Sequence, residues 1–117
     1  MPERVSSFLP LSPAALHIMA ALAGEQKHGY GIMQEVKKRS RGQYRIGSGT
    51  FYDNLERLIS QGLVGEGSKP GAGDDPRRRY YLLTEQGLAV LEAEITRLET
   101  LARHVRRMLK PSGSNNW

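Results

Sequence analysis

Apolar positions recur at helical spacing in four stretches of the chain, with a strand-like region between the third and the fourth. The first stretch, Leu16, Ile18, Met19, Leu22 and Ala23, follows Ser12-Pro13 and stops at Gly24. Ser is a good N-cap and Pro suits the first helical turn. A second short helix fits Tyr30 to Arg39, with Ile32, Met33 and Val36 inward. Lys37, Lys38, Arg39 and Arg41 lie at its end, where cations either suit the negative pole of the helix dipole or add non-specific affinity for an anionic partner. A third helix, roughly Gly49 to Gln61, carries Phe51, Leu55, Leu58 and Ile59 on one side. Thr50, Asp53, Arg57 and Ser60 fall on the opposite side, with Tyr52 and Asn54 on the flanks. Ser48 is placed to cap this helix and Gly62 to close it.

The pattern then changes. Leu63-Val64 begins an extended segment, Gly65 to Pro76 is a Gly/Pro/Asp-rich turn region, and Arg77 to Thr84 has the aromatic and apolar content of a return strand. Beyond it, Leu88, Leu91, Ile95, Leu98, Ala102, Val105 and Leu109 alternate steps of three and four, an a/d seam over three heptads. Thr84 can cap this last helix, which would run about 40 Å to Lys110. That exceeds what a thin three-helix core can cover, so part of the seam calls for another surface, most simply a second copy related by a two-fold axis. The expected organisation is a winged unit over 1–83, a dimerisation helix over 84–110 and a disordered tail over 111–117.

Composition narrows the function. The 117 residues are 38% hydrophobic and 25% charged, enough for one small globular domain. Cysteine is absent, which excludes disulfides, thiol catalysis and cysteine-bound zinc. Met1 to Leu11 has one basic residue and no apolar run, so no export signal is visible, and a cytoplasmic location is expected. No apolar run approaches the roughly 18 residues that span a bilayer. The net charge of +5 favours an anionic partner. Most of it, +4, falls in residues 1–83. His17, His28 and His104 are too dispersed for a metal site, and His28 suits the turn before the second helix. No nucleophile–base or paired-carboxylate arrangement stands out, so no enzyme and no cofactor is expected.

Three helices followed by a hairpin and a long helix make a mainly α (α+β) chain, a winged helix-turn-helix with a long C-terminal dimerisation helix. In that fold the third helix enters the major groove and the wing meets an adjacent minor groove or backbone. Ser48 and Thr50, at the start of the third helix, either meet a phosphate or only cap it. Asn54 and Arg57 are of the types that read adenine and guanine edges, or are simply solvated. Lys69, Arg77, Arg78 and Arg79 are the electrostatic candidates of the wing, the alternative being a charged edge that resists aggregation. Tyr30 either reaches a phosphate or fills a gap between helices.

His28-Gly29-Tyr30-Gly31-Ile32 resembles the H-G-Y-x-I start of the second helix in PadR-type transcriptional regulators. Gly49-Thr50-Phe51-Tyr52, with Leu55, Leu58 and Gly62-Leu63-Val64 after it, resembles that family's recognition segment. Arg79-Tyr80-Tyr81-Leu82-Leu83-Thr84-Glu85-Gln86-Gly87 resembles its wing-to-helix signature. The likeness runs from about Leu11 to Leu109, and the single last helix resembles the family's short branch. Phe51 replaces the usual aliphatic residue as a core swap, and Asp53 stands where proline is frequent. The resemblance implies a homodimeric repressor on a pseudo-palindromic double-stranded operator, with relief by a small molecule or stress signal and with Tyr52 offering its hydroxyl to phosphate, the alternative being that Tyr52 packs against the wing. A small hydrophobic effector would have its cavity between the last helix and the first, near Met19, Leu22, Val90, Leu101 and Met108, all of which core packing also explains. The rival readings are a winged-helix adaptor that binds protein and an RNA-binding module, which would need more exposed aromatic platforms.

Overall fold

A computed structural model describes residues 3–67 and 78–110. Its elements run α1 (Glu3–Ser6), α2 (Pro13–Ala21), β1 (Lys27–His28), α3 (Gly29–Arg39), α4 (Ser48–Ser60), β2 (Val64–Glu66), β3 (Tyr80–Leu83) and α5 (Glu85–Leu109). This is the expected winged helix with its long final helix, and two short elements are added to it: α1, which packs on α5, and β1. β3 is the centre of an antiparallel sheet ordered β1-β3-β2, with Lys27 opposite Tyr81 and Val64 opposite Leu83. The wing tip with Lys69 and Arg77, and the tail from Pro111, lie outside the described residues. Among the described residues no helix is long and apolar enough to cross a membrane.

Three of the helices begin as capping chemistry requires. Ser12 Oγ accepts the Ala15 N–H at 3.1 Å, His28 Nδ1 accepts the Gly31 N–H at 3.0 Å, and Thr84 Oγ1 accepts the Gly87 N–H at 2.9 Å. α4 differs from expectation. Ser48 is its first helical residue, the N-cap is Gly47, and no side chain caps the helix. α2 is the central element, with Ile18, Met19 and Ala21 fully enclosed. Around it pack Ile32 and Val36 of α3, Phe51, Leu55 and Leu58 of α4, and Val90 and Leu91 of α5. Phe51 is fully buried, as a core swap should be, whereas Ile59, 37% exposed, lies at the margin of the stripe and not in its buried part.

Two corrections concern α5. Leu91, assigned to the dimer seam, is buried in this chain's own core, because Gly87, Val90, Leu91 and Glu94 form the face that meets the body of the fold. The rest of the seam is open: Leu88, Ile95, Ala102, Val105 and Leu109 are exposed and Leu98 is half-buried. Met19, Leu22 and Val90, the expected cavity wall, are core residues, and Leu101 and Met108 stand exposed at the far end of α5.

The join between α4 and α5 is tight. α4 closes in a Schellman motif, with Gly62 at φ 78° and the Leu63 N–H reaching the Leu58 carbonyl at 3.0 Å. Thr84 then binds that turn twice: its N–H donates to the Leu63 carbonyl at 3.1 Å and its hydroxyl to the Gly62 carbonyl at 2.6 Å. One turn on, Gly87 lies so close that a methyl group there would sit 2.0 Å from the Leu63 carbonyl oxygen.

Glu94 is the one buried charged side chain among the described residues, 1% exposed. Its Oε2 accepts the Leu11 N–H at 2.8 Å and an Arg97 N–H at 3.1 Å, and its Oε1 accepts the Arg97 Nε–H at 2.5 Å. The carboxylate therefore ties the segment before α2 to α5. The Arg97 hydrogen bonds hold the Glu94 carboxyl below its ordinary value against the opposing effect of burial, with the Leu11 N–H adding to the shift.

Helix propensity alone would make Gly87→Ala stabilising by about 1 kcal/mol. Overlap with the Leu63 carbonyl reverses the sign, and urea unfolding should show a net loss of about 2 kcal/mol. Gly49→Ala, whose added methyl meets nothing within 4 Å, should stabilise by roughly 0.5 kcal/mol. A stabilised Gly87→Ala would contradict the close approach. Because Glu94 is more acidic folded than unfolded, its contribution is complete above the ordinary value of 4.5 and is lost as pH falls below it. Stability measured from pH 6 downwards should therefore fall less steeply in Glu94→Gln than in the parent, and equal slopes would contradict this.

Candidate nucleic-acid interface

α4 buries Phe51, Leu55 and Leu58 and leaves the rest of its circumference to solvent, which fixes where each polar side chain points. Ser48 and Thr50 are exposed in the first turn, whose N–H groups no side chain caps. Asp53, Glu56 and Ser60 lie on the outermost face.

On one flank, Tyr52 leans over the start of α3. A side chain at Gly29 would meet the Tyr52 hydroxyl at 2.6 Å, so the glycine of the His28-Gly29-Tyr30 segment is there to admit that ring. The Phe51 ring meets Tyr52 edge-on at 4.8 Å between centroids and fixes its orientation. The two tyrosines differ in exposure, 60% for Tyr30 and 46% for Tyr52, and both present their outer parts to solvent.

Next to them, β1 pairs with β3 and brings the base of the wing against α3. His28 caps α3, packs edge-on against Tyr80 at 5.5 Å, and has Arg78 Nη1 2.8 Å from its Nε2. The result is a groove of about 430 Å³ walled by Tyr30, Tyr52, Arg78, Arg79 and Tyr81, with His28 and Gly29 at its floor. Burial pushes the Tyr81 phenol above its usual value, against the pull of Arg79, so it remains a hydroxyl donor at neutral pH. Arg79 has an ion pair with Glu66 at 3.8 Å; both side chains are exposed, so it is weak and leaves the guanidinium open to exchange for a phosphate.

On the opposite flank of α4, Asn54 and Arg57 line a smaller cleft of about 210 Å³ with Phe8, Pro10 and Leu11. The Asn54 side-chain amide donates to the Thr50 carbonyl at 2.8 Å, so it lies along the helix instead of standing out from it. Arg57 is exposed. Of the sequence-derived set, Tyr30, Tyr52, Arg78 and Arg79 converge, Asn54 and Arg57 stand apart, and Ser48 and Thr50 lie in the first turn of α4, while Lys69 and Arg77 are outside the described residues. His28 was legible as a turn residue, but its contact with Arg78, fifty positions away, was not.

The model of the "Transcriptional regulator PadR-like family" matches residues 18–93. The transcriptional regulator Rv3488 of Mycobacterium tuberculosis is 39% identical over 90 residues, 77% of this chain and 79% of that protein. The crystal structure of a PadR family transcription regulator from Clostridium difficile superposes with a TM-score of 0.68 at 25% identity, covering 84% of this chain and 99% of that one. Bacillus subtilis PadR, crystallised in complex with operator DNA, shares the fold with a TM-score of 0.60 at 19% identity, covering 74% of this chain and 48% of that one. With its winged fold, its α4–α5 junction and most of its length matched, the chain belongs to the PadR-like family of transcriptional regulators.

Proposed function

We propose that this regulator is a homodimer that binds double-stranded DNA in a sequence-specific manner and represses transcription, with repression relieved by a small-molecule or stress signal. The observation that carries the DNA reading is the groove in which Tyr52 of α4, Tyr30 of α3, and Arg78 and Arg79 of the wing meet beside the exposed polar face of α4. The hydroxyls of Tyr30 and Tyr52, with that of Tyr81 behind them, and two guanidiniums lining one channel suit a phosphate backbone, which accepts charge-assisted hydrogen bonds. The outer face of α4 is then free to enter the major groove, with Arg57 placed for a base edge or a flanking phosphate. The operator complex of Bacillus subtilis PadR supports the reading.

Residues 1–83, with the first turns of α5, form the DNA-binding unit in this reading. The dimerisation segment is the remainder of α5, where Ile95, Leu98, Ala102, Val105 and Leu109 continue the seam past the edge of the core. Exposed apolar residues in line with a core face are best covered by the same face of a second copy. Two copies would offer two α4 helices to half-sites about one duplex turn apart. In this reading the protein works in the cytoplasm, where it meets its DNA.

Fluorescence anisotropy of a labelled duplex from the region upstream of the protein's own gene, with a scrambled duplex as competitor, tests this. Tyr52→Ala or Arg57→Ala should weaken specific binding by about tenfold. The double change Arg78→Ala with Arg79→Ala should weaken binding to both duplexes and reduce the salt slope by about 2. Unchanged affinity in all of these variants would contradict the proposed surface.

A further inference from the structure

A second groove, of about 750 Å³, runs along the outer face of α3 and the connection from α3 to α4. Its floor is apolar: Met33 and Val36 come from α3, and Tyr44 and Ile46 from the connection. Tyr44 is fixed there by stacking on His17, with ring centroids 4.1 Å apart, and by its N–H, which donates to Ser40 Oγ at 3.1 Å. Lys37, Lys38, Arg41 and Arg45 form the rim. Among the described residues, no acidic side chain lines the groove. Glu35, the acidic residue of α3, is engaged by Arg39 at 2.6 Å instead. Four cations around an apolar floor, with no carboxylate among them, make a site complementary to a molecule that is apolar along its length and anionic at one end.

The backbone adds a second observation. α3 ends in a Schellman motif like that of α4, the Gly42 N–H donating to the Lys37 carbonyl at 2.8 Å and the Arg41 N–H to the Lys38 carbonyl at 3.1 Å. In α4 the left-handed residue of the motif is Gly62, whereas α3 ends in two successive left-handed residues, Arg41 at φ 55° and Gly42 at φ 77°. An L side chain is strained in this region, and strain of this kind is retained where the surroundings or the function require it. Here the residue that glycine would replace at lower cost places a guanidinium on the rim of the groove.

We propose that this groove binds an amphipathic monoanion, a medium-chain acyl carboxylate, with its chain along Met33, Tyr44 and Ile46 and its carboxylate among Lys37, Lys38, Arg41 and Arg45. Tyr30 lines both this groove and the one that holds Tyr52, Arg78 and Arg79. A chain seated against Tyr30 therefore withdraws it from a phosphate and weakens binding to DNA. That coupling rests on the DNA reading above; binding of the anion does not.

Isothermal titration calorimetry with decanoate, with 1-decanol and acetate as controls, tests the site directly. Decanoate should bind the parent protein, more weakly as salt rises, and 1-decanol and acetate should each bind at least about tenfold more weakly. Arg41→Gly relieves the strained backbone and removes one rim cation, so it should lower decanoate affinity without loss of thermal stability. Lys38→Gln with Arg45→Gln should lower it further. No decanoate binding, equal binding of 1-decanol, or full affinity in these variants would overturn the proposal, the second result pointing to the exposed face of α5. In duplex anisotropy, decanoate should reduce parent affinity, and an undiminished affinity would overturn the coupling through Tyr30. A parent that binds no duplex but still binds decanoate with these preferences would overturn the DNA reading and leave the anion site standing. Loss of duplex binding in the rim variants, with no decanoate binding by the parent, would assign the rim to phosphates.

Discussion

Much of the architecture depends on the contact between the end of α4 and the start of α5. Thr84 donates to the carbonyls of Gly62 and Leu63, its hydroxyl oxygen accepts the Gly87 N–H, and the missing side chain of Gly87 lets the helix backbone rest on Leu63. Backbone-to-backbone contact of this kind has little freedom to bend, unlike contact through long side chains. The helix that carries Thr50 and Tyr52 is therefore set at a fixed angle to the helix that carries Ile95 and Leu98. Glu94 braces the same helix from the other side by holding the Leu11 backbone and Arg97. Whatever fixes α5 in space also fixes α4.

Several features of this frame were legible from the sequence because each depends on local chemistry. Ser12 and Thr84 cap their helices, Gly62 closes α4, and Phe51, Leu55 and Leu58 recur on the buried side. The less legible features depend on partners distant in sequence. α1 and β1 span four and two residues, too short to show a period. Glu94 is of a residue type usual at the surface, and one of the partners that satisfy it in the interior, the Leu11 N–H, lies 83 positions earlier. The seam of α5 reads as one continuous stripe, yet it serves two surfaces. Leu91 faces this chain's core, and Leu88 and Ile95, on the adjoining strip, do not. Periodicity identifies an apolar face but not what covers it.

The candidate site divides in the same way. Tyr30, Tyr52, Arg78 and Arg79 could each be selected by residue type, but their convergence requires β1 to pair with β3 and Gly29 to admit the Tyr52 ring. Asn54 and Arg57, close to Tyr52 in sequence, lie on the other flank because helical geometry separates them. The cations at the end of α3 read as compensation for the helix dipole, and that explanation holds for any basic helix end. It is the return of Tyr44 and Ile46 over α3 that turns them into the rim of a groove.

If α4 is rigidly carried on α5 and two copies join through α5, the two reading helices are held at one spacing and one rotational phase. The most direct test is the affinity of the dimer for its preferred duplex after base pairs are inserted between the half-sites. Insertion of about half a helical turn, roughly 5 base pairs, turns one half-site to the opposite face of the duplex and should reduce specific binding towards the non-specific level. Affinity that survives this insertion would mean that the reading helices move independently, and would contradict the rigid α4–α5 unit on which the account rests.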